Sequence, residues 1–83
     1  MYNVIISSKA TSNIDRIPKN VHLSIVTAFR ELREDPFIGE PLKRELTGRF
    51  KLKIGVYRII YLVNEKDKKV IILAVGHRSR IYN

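Results

Sequence analysis

The sequence contains no cysteine. That absence excludes a disulfide framework, a thiolate zinc site and a cysteine nucleophile together, and it leaves His22 and His77 as the only good nitrogen ligands. Long apolar runs are missing too. The longest, Val70 to Val75, has six residues, far short of the ~20 needed to span a bilayer. The first residues lack the charged and apolar regions of a secretory signal. The expectation is a cytoplasmic protein without a membrane segment. Glycine is sparse and scattered, at positions 39, 48, 55 and 76. No glycine-rich phosphate loop, zinc-protease helix, EF-hand series or nucleophile elbow can be written from it. No metal site and no cofactor are expected.

Acidic residues are few, eight against sixteen lysines and arginines. The imbalance is local: residues 1–42 carry as many acidic as basic side chains, so the whole excess of +8 lies in residues 43–83. Such asymmetry is the footprint of a surface that meets phosphate or an acidic partner. At 83 residues the chain reads as one domain with a modest core, because only about 60–65% of the unfolded surface can be buried at this size.

The periodicity changes once along the chain. Residues 2–7 alternate as a short strand with one buried face. Ser7 and Ser8 offer helix N-caps, and Ala10, Ile14 and Ile17 form a helical stripe that Pro18 stops. Val21, Ile25, Ala28, Phe29 and Leu32 predict a second amphipathic helix, ended by Asp35-Pro36. His22 reads as a surface residue of it. Residues 36–48, with two prolines and two glycines, read as a connecting loop. Period two then takes over: Arg49, Lys51 and Lys53 alternate with Phe50, Leu52 and Ile54, Gly55-Val56 makes a two-residue turn, and Tyr57–Val63 and Val70–Val75 are further strands. The last is apolar throughout, which suggests a central position. The expected fold class is α+β: an N-terminal strand, an α-helical hairpin, then an antiparallel sheet of three further strands, with the helices on one side.

The two-residue turn sets a register with consequences. Ile54 faces Tyr57 and Lys53 faces Arg58, and cross-strand partners share a face. Arg49, Lys51, Lys53 and Arg58 then converge, while Phe50, Leu52, Ile54, Tyr57, Ile59 and Tyr61 meet the helices. A charged face is the ordinary solvated side of a sheet. Four like charges without a carboxylate argue for more, because like charges opposite one another destabilise a strand pair. Ile60 and Leu62 fall on the charged face as well, so protein or a partner must cover part of it. Gly76, placed to mark a bulge, precedes His77, Arg78, Ser79, Arg80, Ile81 and Tyr82, whose face depends on an unfixed register. A site of lysines, arginines and a tyrosine suits phosphoryl chemistry on RNA. Cations stabilise the phosphorane oxygens and the substrate's own 2′-hydroxyl can attack. Crowding by like charges disfavours an ammonium, which makes Lys53 the best placed candidate base.

The run Arg49 to Tyr61, with Gly76-His77-Arg78, Ile81-Tyr82 and the approach through Leu32, Pro36, Pro41-Leu42 and Leu46-Thr47-Gly48, resembles the RelE branch of the RelE/ParE toxin superfamily of type II toxin-antitoxin modules. The resemblance covers essentially the whole chain. It implies a ribosome-dependent mRNA endonuclease that cuts in the A site by 2′-hydroxyl attack, with the ribosome and mRNA as partners and a RelB-like cognate antitoxin. Carried over by position, Lys53 looks like the general base and Lys51 like a phosphate-stabilising lysine. Arg58 looks like the arginine that steadies the transition state, Arg78 like the general acid and Tyr82 like the aromatic that orients or stacks on the base. Arg49, Arg80 and, secondarily, His77 are candidates for binding RNA or the ribosome. Ile60 and Leu62 are candidate antitoxin contacts. Two other readings stay open: a ParE-like DNA gyrase inhibitor, and a non-catalytic basic nucleic-acid-binding protein.

Overall fold

A computed structural model of the chain describes residues 1–44 and 47–81. The chain begins with strand β1 (Asn3–Ile6), and Ser7 ends it by capping helix α1 (Ser8–Asp15), its hydroxyl accepting the Ala10 N–H at 3.1 Å. Pro18 separates α1 from α2 (Lys19–Glu34). As the spacing predicts, Ile25, Ala28, Phe29 and Leu32 are the buried stripe of α2 and Ala10 and Ile17 belong to the same core. Burying each large side chain of this kind stabilises by about 1.5–3 kcal/mol.

His22 departs from the surface reading. It is half-buried, and its Nε2–H donates to the carbonyls of both Ile14 and Ile17 at 2.9 Å. The first belongs to the last turn of α1 and the second to the connection after it, so the imidazole fastens one arm of the helical hairpin to the other.

Past α2 the chain forms a two-residue strand β2 (Glu40–Pro41), then β3 (Arg49–Ile54), β4 (Tyr57–Asn64) and β5 (Lys69–His77). The order in the single sheet is β1-β5-β4-β3-β2. Two features differ from the expected antiparallel sheet. β1 lies parallel to β5, Asn3 opposite Lys69 and Ile6 opposite Ile72, and the segment read as loop contributes an edge strand, β2, paired with β3. Pro41 suits that edge because it lacks an N–H. β5 is central, as its apolar run suggests, but only one of its faces is well covered: Val70, Ile72 and Val75 are buried whereas Ile71 and Leu73 are half-buried.

Both helices pack on the face carrying Phe50, Leu52, Ile54, Tyr57, Ile59, Tyr61 and Val63. Tyr61 is fully buried there, stacks on Phe50 with ring centroids 5.4 Å apart, donates its hydroxyl to the Pro36 carbonyl at 2.8 Å and accepts the Gly39 N–H at 3.0 Å. A Cβ at Gly39 would lie 2.5 Å from that hydroxyl and 2.7 Å from the Lys51 carbonyl oxygen, so only glycine brings this loop close enough to seat β2. Burial raises the Tyr61 phenol above its ordinary 10.0, and the Asp35 charge adds to this, while the Gly39 hydrogen bond works the other way.

Candidate functional site

The β3–β4 hairpin turns at Gly55, whose φ of +60° is the conformation that a tight two-residue turn needs at its first central position. The register predicted from it is the one observed: Ile54 pairs with Tyr57, Lys53 with Arg58, Lys51 with Ile60 and Arg49 with Leu62. Arg49, Lys51, Lys53, Arg58, Ile60 and Leu62 therefore share the face of the sheet opposite α1 and α2.

Side chains of the cluster are already engaged. Arg58 folds back on its own turn, its Nη1 donating to the carbonyls of Gly55 and Tyr57 at 2.9 Å each. Lys53 reaches a carboxylate: its Nζ is 3.4 Å from Glu40 Oε1, with both side chains more than half exposed. The sequence reading counted no carboxylate here, and Glu40 corrects it. Glu40 sits opposite Lys51 in the β2–β3 register, so the edge strand delivers one negative charge to the basic face. The face therefore holds a counter-charge as well as cations. Nothing in periodicity could reveal a two-residue strand; the signal was Gly39, whose missing side chain marks a close backbone approach.

Ile60 and Leu62 lie among these cations and differ from each other. Ile60 is only 6% exposed, covered by its neighbours within the sheet, whereas Leu62 is half-buried. The apolar surface on this face comes also from Ile5, 38% exposed, and from half-buried Ile71 and Leu73, so it forms a strip beside the charged hairpin.

The C-terminal residues divide. A bulge in β5 lies opposite Ile60 and Tyr61, so that Ile60 pairs with Ala74 but Tyr61 with Ile72. The extra residue reverses the alternation. His77 consequently pairs with Tyr57, and their rings meet edge to face at 5.8 Å on the helix-covered side. The sequence left the face of His77 open, and the bulge sets it across the sheet from Arg58. The bulge is thus at Leu73–Ala74 rather than at Gly76. Gly76 leaves room for Ile81 instead, since a Cβ there would lie 3.2 Å from Ile81 Cδ1. Arg78 stays at the hairpin end, its N–H donating to the Val56 carbonyl at 2.7 Å, and Arg80 is exposed in the turn that follows. Tyr82 lies outside the described residues. Among the described residues no three His, Cys, Asp or Glu side chains gather as a metal site would require, and no helix is long and apolar enough to cross a membrane.

Known proteins share this arrangement. The family model for the ParE toxin of the type II toxin-antitoxin system parDE matches residues 4–82. Toxin RelG of Mycobacterium tuberculosis is 35% identical over 83 residues, which span 98% of this chain and 95% of that protein. Toxin RelE of the same organism is 29% identical over 83 residues, 98% of this chain and 86% of its own. Among solved structures, the toxin-antitoxin complex RelBE2 from M. tuberculosis superimposes with a TM-score of 0.86 at 34% identity, covering 93% of this chain and 98% of its counterpart. The archaeal RelE-RelB complex from Pyrococcus horikoshii OT3 gives 0.80 at 29% identity, over 95% and 97%. Sharing sequence with RelE-type toxins from its first strand to its C-terminal turn, and their fold with it, this chain belongs to the RelE/ParE superfamily of toxins of type II toxin-antitoxin systems.

Proposed function

We propose that this toxin is a ribosome-dependent mRNA endonuclease, cleaving the message in the A site. The observation that carries the reading is the gathering of Arg49, Lys51, Lys53 and Arg58 on one uncovered face by the β3–β4 register. In the reaction Lys53 takes the 2′-hydroxyl proton, the O2′–P bond forms, the P–O5′ bond breaks and Arg78 protonates the departing 5′-oxygen. The products are a 2′,3′-cyclic phosphate and a 5′-hydroxyl end. Lys51 and Arg58 carry the charge that builds on the phosphorane oxygens, and Tyr82 orients the base. Lys53 must first leave Glu40, so substrate binding includes the breaking of that ion pair.

The partner that restrains the toxin is a RelB-like antitoxin. The RelBE2 and RelE-RelB structures are complexes of this kind, and the strip formed by Ile5, Leu62, Ile71 and Leu73 beside a cationic hairpin suits an acidic chain that folds on binding.

The test is cleavage of a defined mRNA positioned on purified ribosomes, with new ends mapped by primer extension. Cuts within the A-site codon that fall by about 10²–10⁴-fold with Arg78→Ala, at unchanged thermal stability, are the expected result. Competent ribosomes that leave the message intact would overturn it. The matching family model is that of a ParE toxin, which keeps inhibition of DNA gyrase as the second reading. Loss of gyrase supercoiling in the presence of the protein, without RNA cleavage, would select it.

A further inference from the structure

β1 stops at Ile6, opposite Ile72, while β5 runs on to His77, so among the described residues the outer edge of β5 beyond Ile72 has no strand beside it. Helix α1 covers part of that edge. The Ser7 hydroxyl donates to the Leu73 carbonyl at 3.2 Å, and Asn13 Oδ1 accepts the Val75 N–H at 3.1 Å. Between α1, this edge and the C-terminal turn lies a groove of about 460 Å³, within the size range of small-ligand clefts, about 300–1,000 Å³.

Its polar lining is donor-rich. Lys9, Asn13 and Arg16 come from one face of α1, at the i, i+4, i+7 spacing of a helical stripe, and His77, Ser79 and Arg80 come from the end of the chain. Among the described residues no carboxylate lines it. Asn13 has committed its carbonyl oxygen to Val75, so the end of the amide left for a ligand is its NH₂. His77 Nδ1 accepts the backbone N–H of Ser79 at 3.2 Å, which puts the proton of the neutral ring on Nε2 and makes that nitrogen a donor. Tyr57, Ile17 and Ile81 supply apolar wall. Three cations, an amide NH₂ and an imidazole N–H against a partly apolar wall match a phosphate joined to a nucleoside.

The groove and the open-face cluster meet at one turn. Arg58 pairs with Gly76 and Tyr57 with His77, so a strand of RNA lying over the β3–β4 hairpin reaches the groove by crossing residues 76–78. We propose that this groove is a second phosphate-binding subsite, which holds an RNA phosphodiester beyond the one that is cut. The proposal rests on the RNA-cleaving reading of the open face, and adds to it a contact surface on the opposite side of β5. The phosphodiester belongs either to the message or to ribosomal RNA, which are the same chemistry.

The probe is a 2′-O-methyl RNA hexanucleotide, which cannot be cleaved by 2′-hydroxyl attack, titrated into the free protein by fluorescence anisotropy and by NMR. The Asn13 side-chain amide and the backbone amides of Val75 to His77 should shift. Lys9→Ala combined with Arg16→Ala should weaken binding at least tenfold and flatten the salt dependence by about 1.4 in log–log slope, the value for two lost phosphate contacts on a single strand. Lys19→Ala, an exposed lysine of α2 outside the groove, should weaken it less than threefold, and Arg16→Lys should restore most of the loss. Equal losses from the groove pair and from Lys19→Ala, or no loss from the pair, would overturn the subsite.

Ribosomes then separate the two sources. Impaired cleavage with unchanged binding to vacant ribosomes assigns the phosphate to the message, and weakened binding to vacant ribosomes assigns it to ribosomal RNA. The two readings also fail separately. A wild-type protein that binds the hexanucleotide through the groove but never cuts on ribosomes loses the nuclease reading and keeps the subsite. Groove variants that bind and cut like the wild type lose the subsite alone.

Discussion

The two faces of the sheet are written by alternate residues of the same strands, yet they obey different rules. On the helix-covered face every large side chain of β4 and β5 finds an internal neighbour: Ile59, Tyr61, Val70 and Ile72 are all fully buried, and the Tyr61 hydroxyl is satisfied twice. On the open face, lysine stands opposite isoleucine, lysine opposite arginine and arginine opposite leucine. Among the described residues, a half-buried strip of Leu62, Ile71 and Leu73 has no second layer over it. One set of positions completes itself within the chain. The other leaves cations and half-buried apolar side chains at the surface, and Glu40 supplies one counter-charge from within the chain.

Paired truncations sharpen this contrast most. Ile72→Ala should cost about 2–5 kcal/mol in urea unfolding. Leu62→Ala on the opposite face should cost under ~1.5 kcal/mol, because its side chain is only half-buried. Similar losses at both sites would show that the open face is a second core. Tyr61→Phe tests the polar seam of the covered face. It leaves the Gly39 N–H and the Pro36 carbonyl without a partner, and about 1–3 kcal/mol should be lost. The raised phenol adds a pH signature. A folded-state value above the unfolded 10.0 means that this contribution is complete below pH 10 and disappears as pH climbs through the folded value. The wild type should therefore lose more stability than Tyr61→Phe on strongly alkaline titration, and parallel curves would contradict it. His22→Ala removes the link between the helices and should cost about 1 kcal/mol, read as a lower thermal midpoint. Smallest for stability is Glu40→Gln, within about 1 kcal/mol because the ion pair is exposed. Its effect belongs to the other face: cleavage should rise roughly two- to tenfold as Lys53 is released, and a fall would mean that Glu40 assists the reaction.

What could be read from the sequence was whatever a local rule determines. The Gly55-Val56 turn has only one compact pairing, so the register of Lys53 with Arg58 and the separation of core from cations followed from counting residues. The helix stripe of Ile25, Ala28, Phe29 and Leu32 followed from a period of 3.6. Features that depend on distant segments were hidden. β1 pairs in parallel with a strand more than sixty residues away, and no local pattern states the partner or its direction. β2 has two residues and therefore no period, which concealed Glu40. The bulge at Leu73–Ala74 is a single extra residue inside an apolar run, and it decides the face on which His77 emerges: strict alternation from Val70 would have brought His77 to the basic face, and the bulge sends it to the other.

The parallel pairing of β1 with β5 also sets an order in time. β5 lies between β1 and β4, so β1 has no strand to pair with until β5 has been made. Helices α1 and α2 can form as they emerge, and the β3–β4 hairpin can close by itself, but the sheet acquires its centre only when Lys69–His77 arrives. The same late segment precedes Arg78. Folding is thus completed, and the arginine proposed for catalysis supplied, at nearly the same moment in synthesis, and the growing chain passes most of that time without an assembled basic face.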